Sequence, residues 1–292
     1  MRRNIKIIHF AGRLSIALVI ALVAYFVFYR PLQLNWGATT DEIKRPLPGD
    51  EIVARPKFNA TRAVTIAASP EQIWPWLLQI GLKRAGWYSF DLLDNLARPS
   101  SEQIIPKFQN LKAGHLVPMS PDGKMGFWVK ELLPPRSMLW WDKQGSLSWN
   151  WQLVPLATER TRLITRVRFD YKWFSPYILF DLLLDVGDLV MMRQSMLGIR
   201  DRAEGRQIKS MFAQSMELLV WIMAFAGFVA AEIKIVRKPE YLRPLIAAIF
   251  SAAVTILLVL WKPSLWLDIL FTAGIWSAVQ WASRSKLKSK AI

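Results

Sequence analysis

Cysteine is absent from all 292 residues. Its absence excludes disulfides, thiolate nucleophiles and cysteine-bound metals. Histidine is nearly absent too, with only His9 and His115. His9 sits beside an apolar run and His115 at the start of an expected strand, so neither adjoins a serine as the base that nucleophilic catalysis needs. A lone histidine also falls short of the ligand set of a zinc site. Neither a G-x-S-x-G elbow nor a glycine-rich phosphate loop occurs. The sequence therefore offers no catalytic set, no metal ligands and no cofactor motif, and it points away from an enzyme.

What it holds in quantity is apolar surface and positive charge. Hydrophobic residues make up 53% of the chain, with 15 Trp and a formal charge of +16. Four stretches, roughly 10–29, 213–231, 245–261 and 264–282, lack the polar interruptions of a soluble helix. Each comes close to the ~20 apolar residues that a bilayer core requires. Glu217 and Glu232 make the second the least apolar, while Arg13 and Asp268 lie near segment ends, where a side chain can reach the interface. Trp261, Trp266 and Trp281 sit at segment ends, as interfacial aromatics do. The first run has the basic start of a secretion signal, but "YFVFYRP" offers no small-residue cleavage site, which predicts an uncleaved anchor.

The basic charge is not spread evenly. Residues 31–210 carry 24 Lys+Arg and 18 Asp+Glu, a net of +6, and the remaining 14 and 4 supply +10. That excess lies in "MRRNIK", "IKIVRKPEYLR" and "RSKLKSK", all beside the apolar segments. Basic flanks of this kind follow from the positive-inside rule, so nucleic acid is not the expected partner. If all four segments span, the three basic places share the cytoplasmic side and the large stretch 31–210 lies outside the cytoplasm. If 213–231 instead lies on the surface, the sidedness stays open.

The chain then divides into an anchor (1–30), a lead-in (31–59), a central domain (60–210) and three membrane helices with a basic tail (211–292). The lead-in, rich in Pro, Gly and charge, shows no period and is expected to run extended over the domain surface. "ATRAVTIAA" (60–68) reads as a strand, followed by a helix capped by Ser69 with Pro70 at its first position and shortened or kinked by Pro75. From about 113 come "GHLVPM", "GFWVKELL", "SMLWWDK", "SLSWNWQLVPL" and "TRLITRVRFDY", short strands separated by turn residues. In the fourth, Leu147, Trp149, Trp151 and Leu153 alternate with Ser148, Asn150 and Gln152. In the fifth, Leu163, Val167, Phe169 and Tyr171 oppose Arg162, Arg166 and Arg168. This pattern predicts an antiparallel sheet with one buried and one wet face. A long helix from about 177 to 203 closes the domain. The fold class is α+β.

The stretch "GWYSFDLLDN" (86–95) places Trp87 and Tyr88 beside Ser89, Asp91, Asp94 and Asn95. Ser89 is expected to cap a helix "FDLLDNL", with Asp91 in its first turn, where the helix dipole favours a negative charge. Alternatively, Tyr88 and Asp91 stand at a cavity mouth and orient a ligand headgroup. Asp181, Asp185 and Asp188, spaced four and three apart, share a helix face; they can pair with Arg162, Arg166 or Arg168, face water, or hold a cation.

The order of elements resembles the START and polyketide-cyclase-like (SRPBCC, helix-grip) superfamily. "TRAVTIAASPEQIWPWLLQIGLKRAGWYSFDLLDN" is similar to a membrane-associated branch of it, as are "WGAT", "PLPGD", "IIPKFQNLKAGHLVPMSPDG" and "MMRQSMLGIRDRAEG" within residues 36–205. Lys107 and His115 stand where that branch commonly has Glu and Asp, so no role of those carboxylates carries over. The resemblance implies a helix-grip domain with a hydrophobic cavity, used elsewhere for lipid binding, ligand sensing or cyclase chemistry, and no established reaction for the branch. The expectation is a hydrophobic or amphiphilic ligand, a lipid among the candidates. Trp87, Tyr88, Asp91, Trp128, Trp149, Trp151 and Phe169 are the candidate contacts, with Leu183 and Val186 on the lid. Two other classes stay open: a filled-core module that assembles with a membrane-protein partner through its helices, using Glu217 and Asp268, and an enzyme of cyclase or dehydratase type.

Overall fold

The structure is a computed structural model that describes residues 2–171, 174, 176, 178–261 and 264–284. In chain order its helices and strands are α1 (Arg2–Val23), a π-helical stretch Ala24–Tyr29, α2 (Arg30–Asn35), α3 (Thr40–Lys44), β1 (Phe58–Ile66), α4 (Pro70–Leu78), α5 (Asp91–Asp94) and a 3-10 turn Pro106–Phe108. There follow β2 (Leu116–Pro118), β3 (Gly126–Leu133), β4 (Ser137–Trp141), β5 (Leu147–Ala157), β6 (Arg160–Phe169), α6 (Ile178–Ala203), α7 (Met211–Arg237), α8 (Leu242–Trp261) and α9 (Leu265–Trp281). They form two compact units, one of residues Met1–Arg30 and Ser215–Ile292, the other of Pro31–Gln214.

The first unit is helical. Three helices are long and apolar enough to cross a membrane: Ile7–Asn35, Met211–Arg237 and Leu242–Trp261. The fourth expected span, α9, has 17 residues and so rises only about 26 Å, short of the ~30 Å of a bilayer core. Gly227 lets α7 and α9 approach closely, since a Cβ there would stand 2.3 Å from Ile275. Trp276 Nε1 donates to the Met223 carbonyl at 3.2 Å across the same contact. Glu217 and Asp268 are buried inside this unit.

The second unit is built on one six-stranded antiparallel sheet in the order β1-β6-β5-β4-β3-β2. One face carries Phe58, Val64, Ile66, Trp140, Trp149, Trp151, Leu163 and Val167 and packs against α4 and α6 in a single core. Ser69 caps α4 in a capping box with Gln72, and α4 runs through Pro75 for nine residues. The opposite face is not wet. Ser148, Asn150 and Arg166 are buried beneath the lead-in, which is folded around α3 and held by the arginine row. Arg162 pairs with Glu42 at 2.7 Å, Arg166 with Asp50 at 2.7 Å, and Arg168 with Asp50 at 3.1 Å. Arg166 also donates to the carbonyls of Glu42, Ile43 and Arg45. The strand alternation reported polarity correctly, but polar side chains can be covered by a segment that supplies their partners.

Candidate functional site

On the core face, β4 and β5 set Trp140 opposite Trp149 and Met138 opposite Trp151. Phe127 projects from β3 on the same face, two residues before Val129, which pairs with Trp140. A loop between α4 and α5 adds Trp87, whose ring lies flat on Trp149 with centroids 6.1 Å and planes 6° apart. Phe127 meets Trp149 edge-on at 5.0 Å, and Trp149 meets Trp140 and Trp151 at 5.1 Å each. These spacings lie in the favourable range for aromatic pairs. The inner end of the cluster is sealed, with Trp140 and Trp151 at 0% exposure and Trp149 at 8%. Its outer edge, formed by Trp87, Phe127, Leu147 and Phe169, is only half-buried.

The indole N–H groups divide in an informative way. Trp149 Nε1 donates to Thr165 Oγ1 at 2.8 Å. Trp140 Nε1 and Trp151 Nε1 find no acceptor among the described residues. A buried donor left without a partner costs about 1–3 kcal/mol. The cluster thus combines an apolar aromatic wall, a half-buried outer edge and, at its sealed inner end, two donors without an acceptor among the described residues.

Of the residues expected from sequence, the fold brings Trp87, Trp149 and Trp151 into this cluster and places Phe169 on the same face, paired with Leu147. Trp128 stands on the other face of β3, with the Lys143 ammonium 3.1 Å from its ring centroid. Phe127 and Trp140 take the positions that sequence reasoning missed. The pleat holds the signal: Phe127 and Val129 alternate with Trp128 and Lys130, and Met138 and Trp140 with Leu139 and Trp141. The side chains of Leu183, Val186 and Asp181 lie outside the described residues.

Tyr88 is sealed in rather than set at a mouth. It is 2% exposed, in the left-handed region at φ 58°. Its hydroxyl accepts from Gln79 Nε2 at 2.8 Å, and the Arg202 guanidinium lies 4.4 Å from its ring centroid. Burial pushes its phenol up, although Gln79, Arg202 and Arg84 oppose the shift. Gly198 of α6 touches this segment, since a Cβ there would stand 2.2 Å from the Tyr88 carbonyl oxygen.

Asp91 is 4% exposed and acts as a clasp. It accepts from the Ser100 amide at 3.1 Å and the Ser100 hydroxyl at 2.5 Å. Gln214 Nε2 donates to its second oxygen at 3.3 Å, and the Asp91 amide donates to Gln214 Oε1 at 3.1 Å. Ser89 is not the cap of α5: the N-cap position is Phe90, no side chain caps it, and the helix has four residues. Burial raises the Asp94 carboxyl to about 6; the Ser89 hydroxyl and the Phe90 amide oppose this, and the Asp91 charge adds to it.

The second acidic set meets a different arginine from those expected. Asp188 pairs with the fully buried Arg62 of β1, and Asp185 Oδ1 accepts from Gln33 Nε2 at 2.8 Å. Arg162, Arg166 and Arg168 point to the opposite face. His115 is exposed, its Nδ1 accepting from the Lys112 amide at 3.3 Å. Among the described residues no group of three or more His, Asp or Glu is placed to hold a metal.

No protein-family model matches the chain, and no curated protein matches it in sequence. Two solved structures are similar. One is the solution structure of a polyketide-cyclase-like protein from Corynebacterium glutamicum, 15% identical, covering 49% of this chain and 88% of its own at a TM-score of 0.33. The other is a conserved protein of unknown function from Enterococcus faecalis, 15% identical, covering 53% of this chain and 81% of its own at a TM-score of 0.29.

Proposed function

We propose that this protein is a membrane-tethered binder of an amphiphile, whose apolar part packs on the aromatic edge and whose oxygen-bearing head accepts from indole N–H groups. The observation that carries this reading is the pair of buried indole donors on Trp140 and Trp151 that meet no acceptor among the described residues, in one aromatic cluster with a partly exposed rim of Trp87 and Phe127. Buried indole donors are costly unless something accepts from them. Binding sites for small molecules have this composition, an apolar wall with a few placed polar groups. Trp87 is carried by a loop, so its ring, flat on Trp149, is the one that an apolar chain displaces.

In this reading the sheet and α6 form a helix grip, with Leu183 and Val186 on the lid side. One N-terminal and three C-terminal helices enter the membrane, α9 doing so with local thinning or oligomeric support. With all four spanning, the positive-inside rule supports termini in the cytoplasm and the sheet unit outside it. Nuclear magnetic resonance on isotope-labelled indoles in the full-length protein tests the binding claim. The N–H signals of Trp140 and Trp151, identified by single Trp→Phe variants, are expected to move downfield with a fatty acid. They should stay in place with an alkane of equal length.

A second reading is favoured by the ring spacings themselves: a filled core in a module that assembles through its membrane helices, with the buried Glu217 and Asp268 as contacts between those helices within the chain. Trp149→Ala separates the two. A filled core loses about 3–5 kcal/mol on this change, whereas a site that opens for a ligand loses affinity with a smaller loss of stability.

A further inference from the structure

The segment 91–96 has its polarity turned inside out. Asp91 and Asp94, three apart, face inward, with Asp91 only 4% exposed. Leu92, Leu93 and Leu96 face outward at 47%, 52% and 50% exposure. A soluble surface turn places its carboxylates in water and its leucines in the core. The reverse arrangement is held firmly, because Asp91 is bonded to Ser100 on one side and Gln214 on the other. Leu96 and Ala97 take left-handed backbone at φ 54° and 58° to let the chain turn back toward Ser100.

Gln214 says what lies outside. It stands in the first turn of α7, and α7 is apolar enough to span a bilayer from Met211. Two residues earlier, Phe212 is 75% exposed in the same sheet-bearing unit. The Asp91–Gln214 hydrogen bonds therefore tie the leucine segment, inside the sheet-bearing unit, to the residues with which a helix apolar enough to span a bilayer begins. Arg98 and Lys209, both exposed, supply positive charge beside them. Exposed apolar clusters of this kind mark interaction surfaces, and outward leucine with phenylalanine and flanking cations suits the headgroup–acyl boundary.

We infer that Leu92, Leu93, Leu96 and Phe212 form a shallow membrane-insertion knob, and that the lipid interface is its occupant. The knob gives the sheet-bearing unit a contact with the lipid interface in addition to its covalent links to the helical unit at residues 30–31 and 214–215. It is independent of whether the aromatic cluster binds a ligand.

The absence of cysteine makes the test direct. Leu93→Cys in the full-length protein is labelled with a polarity-sensitive fluorophore and reconstituted in vesicles of phosphatidylcholine and phosphatidylglycerol. Met125→Cys, in the exposed β2–β3 turn, serves as the comparison site. The expected result is a blue-shifted emission at position 93, quenched by nitroxide-bearing lipid and shielded from aqueous iodide, with neither effect at 125. Iodide quenching at 93 equal to that at 125 overturns the proposal, because the knob then faces water. Shielding from both quenchers also overturns it, because the knob then meets protein, such as a second copy of the chain. If the labelled Leu93→Cys protein melts below the unlabelled parent, Leu92→Cys supplies the same reading.

Discussion

Asp91 and Asp94 lie three residues apart on one short helix, and their surroundings pull them in different directions. Asp91 is held by Ser100 and Gln214, so Asp91→Ala is expected to destabilise the protein by about 3 kcal/mol, read by chemical denaturation in detergent. Asp94 is buried enough to raise its carboxyl from 3.8 to about 6. The folded state then holds the proton more tightly than the unfolded chain does, so the contribution of Asp94 to stability is greatest below about pH 4 and is lost as pH rises through 6. The loss at neutral pH is on the order of 3 kcal/mol. Asp94→Asn should recover much of it at pH 7.5 and little at pH 4, a difference that paired melting curves resolve. The indoles are a third single-residue case. Trp140→Phe keeps an aromatic ring, though a smaller one, and deletes the donor; it is expected to weaken binding of a fatty acid ~10-fold, well beyond its effect on binding of an alkane. The sequence marked this stretch as chemically dense but misread Ser89, because a four-residue helix led by Phe90 gives the serine no amide to cap.

Elements were legible where local chemistry sets them. Ser69 and Pro70 announce α4, and the turn residues between residues 113 and 171 announce β2 to β6. The faces were legible only where one side of a strand is apolar and the other polar. In "GFWVKELL" both sides begin apolar, and the one local sign that Phe127, and not Trp128, turns to the core is Lys130 on the face of Trp128; the pairing of Val129 with Trp140 decides it. Nor could the arginine row reveal its cover, since the lead-in has no period and earns its place through Glu42 and Asp50. Arg166→Ala removes a buried charge partner and the donors to three carbonyls, and an expected loss of about 3–5 kcal/mol should accompany faster tryptic cleavage near Arg45 and Arg55. Gly198→Ala tests the α6 contact. Its Cβ meets the Tyr88 carbonyl at 2.2 Å, an overlap expected to cost about 1–3 kcal/mol in thermal denaturation.

At the scale of the whole molecule, a charge of +16 without a nucleic-acid motif, four apolar runs and one aromatic sheet face describe a protein organised around a bilayer. Membrane helices were legible because an apolar run of 20 residues has few other uses. The length of α9 was not, since its end depends on where Ser264 and Ala282 break the helix. What the aromatic face holds depends on donors and rims that only the folded sheet reveals. The central claim is that this face binds an amphiphile, and native mass spectrometry of the full-length protein, released from detergent and followed by extraction of bound molecules, tests it most directly. The account predicts one amphiphile of defined mass per chain, retained by the wild type or taken up from added fatty acids and lysolipids, and lost in Trp149→Ala protein that still melts cooperatively. A bare chain mass for the wild type after every such addition would contradict it and leave the aromatic cluster as packing alone.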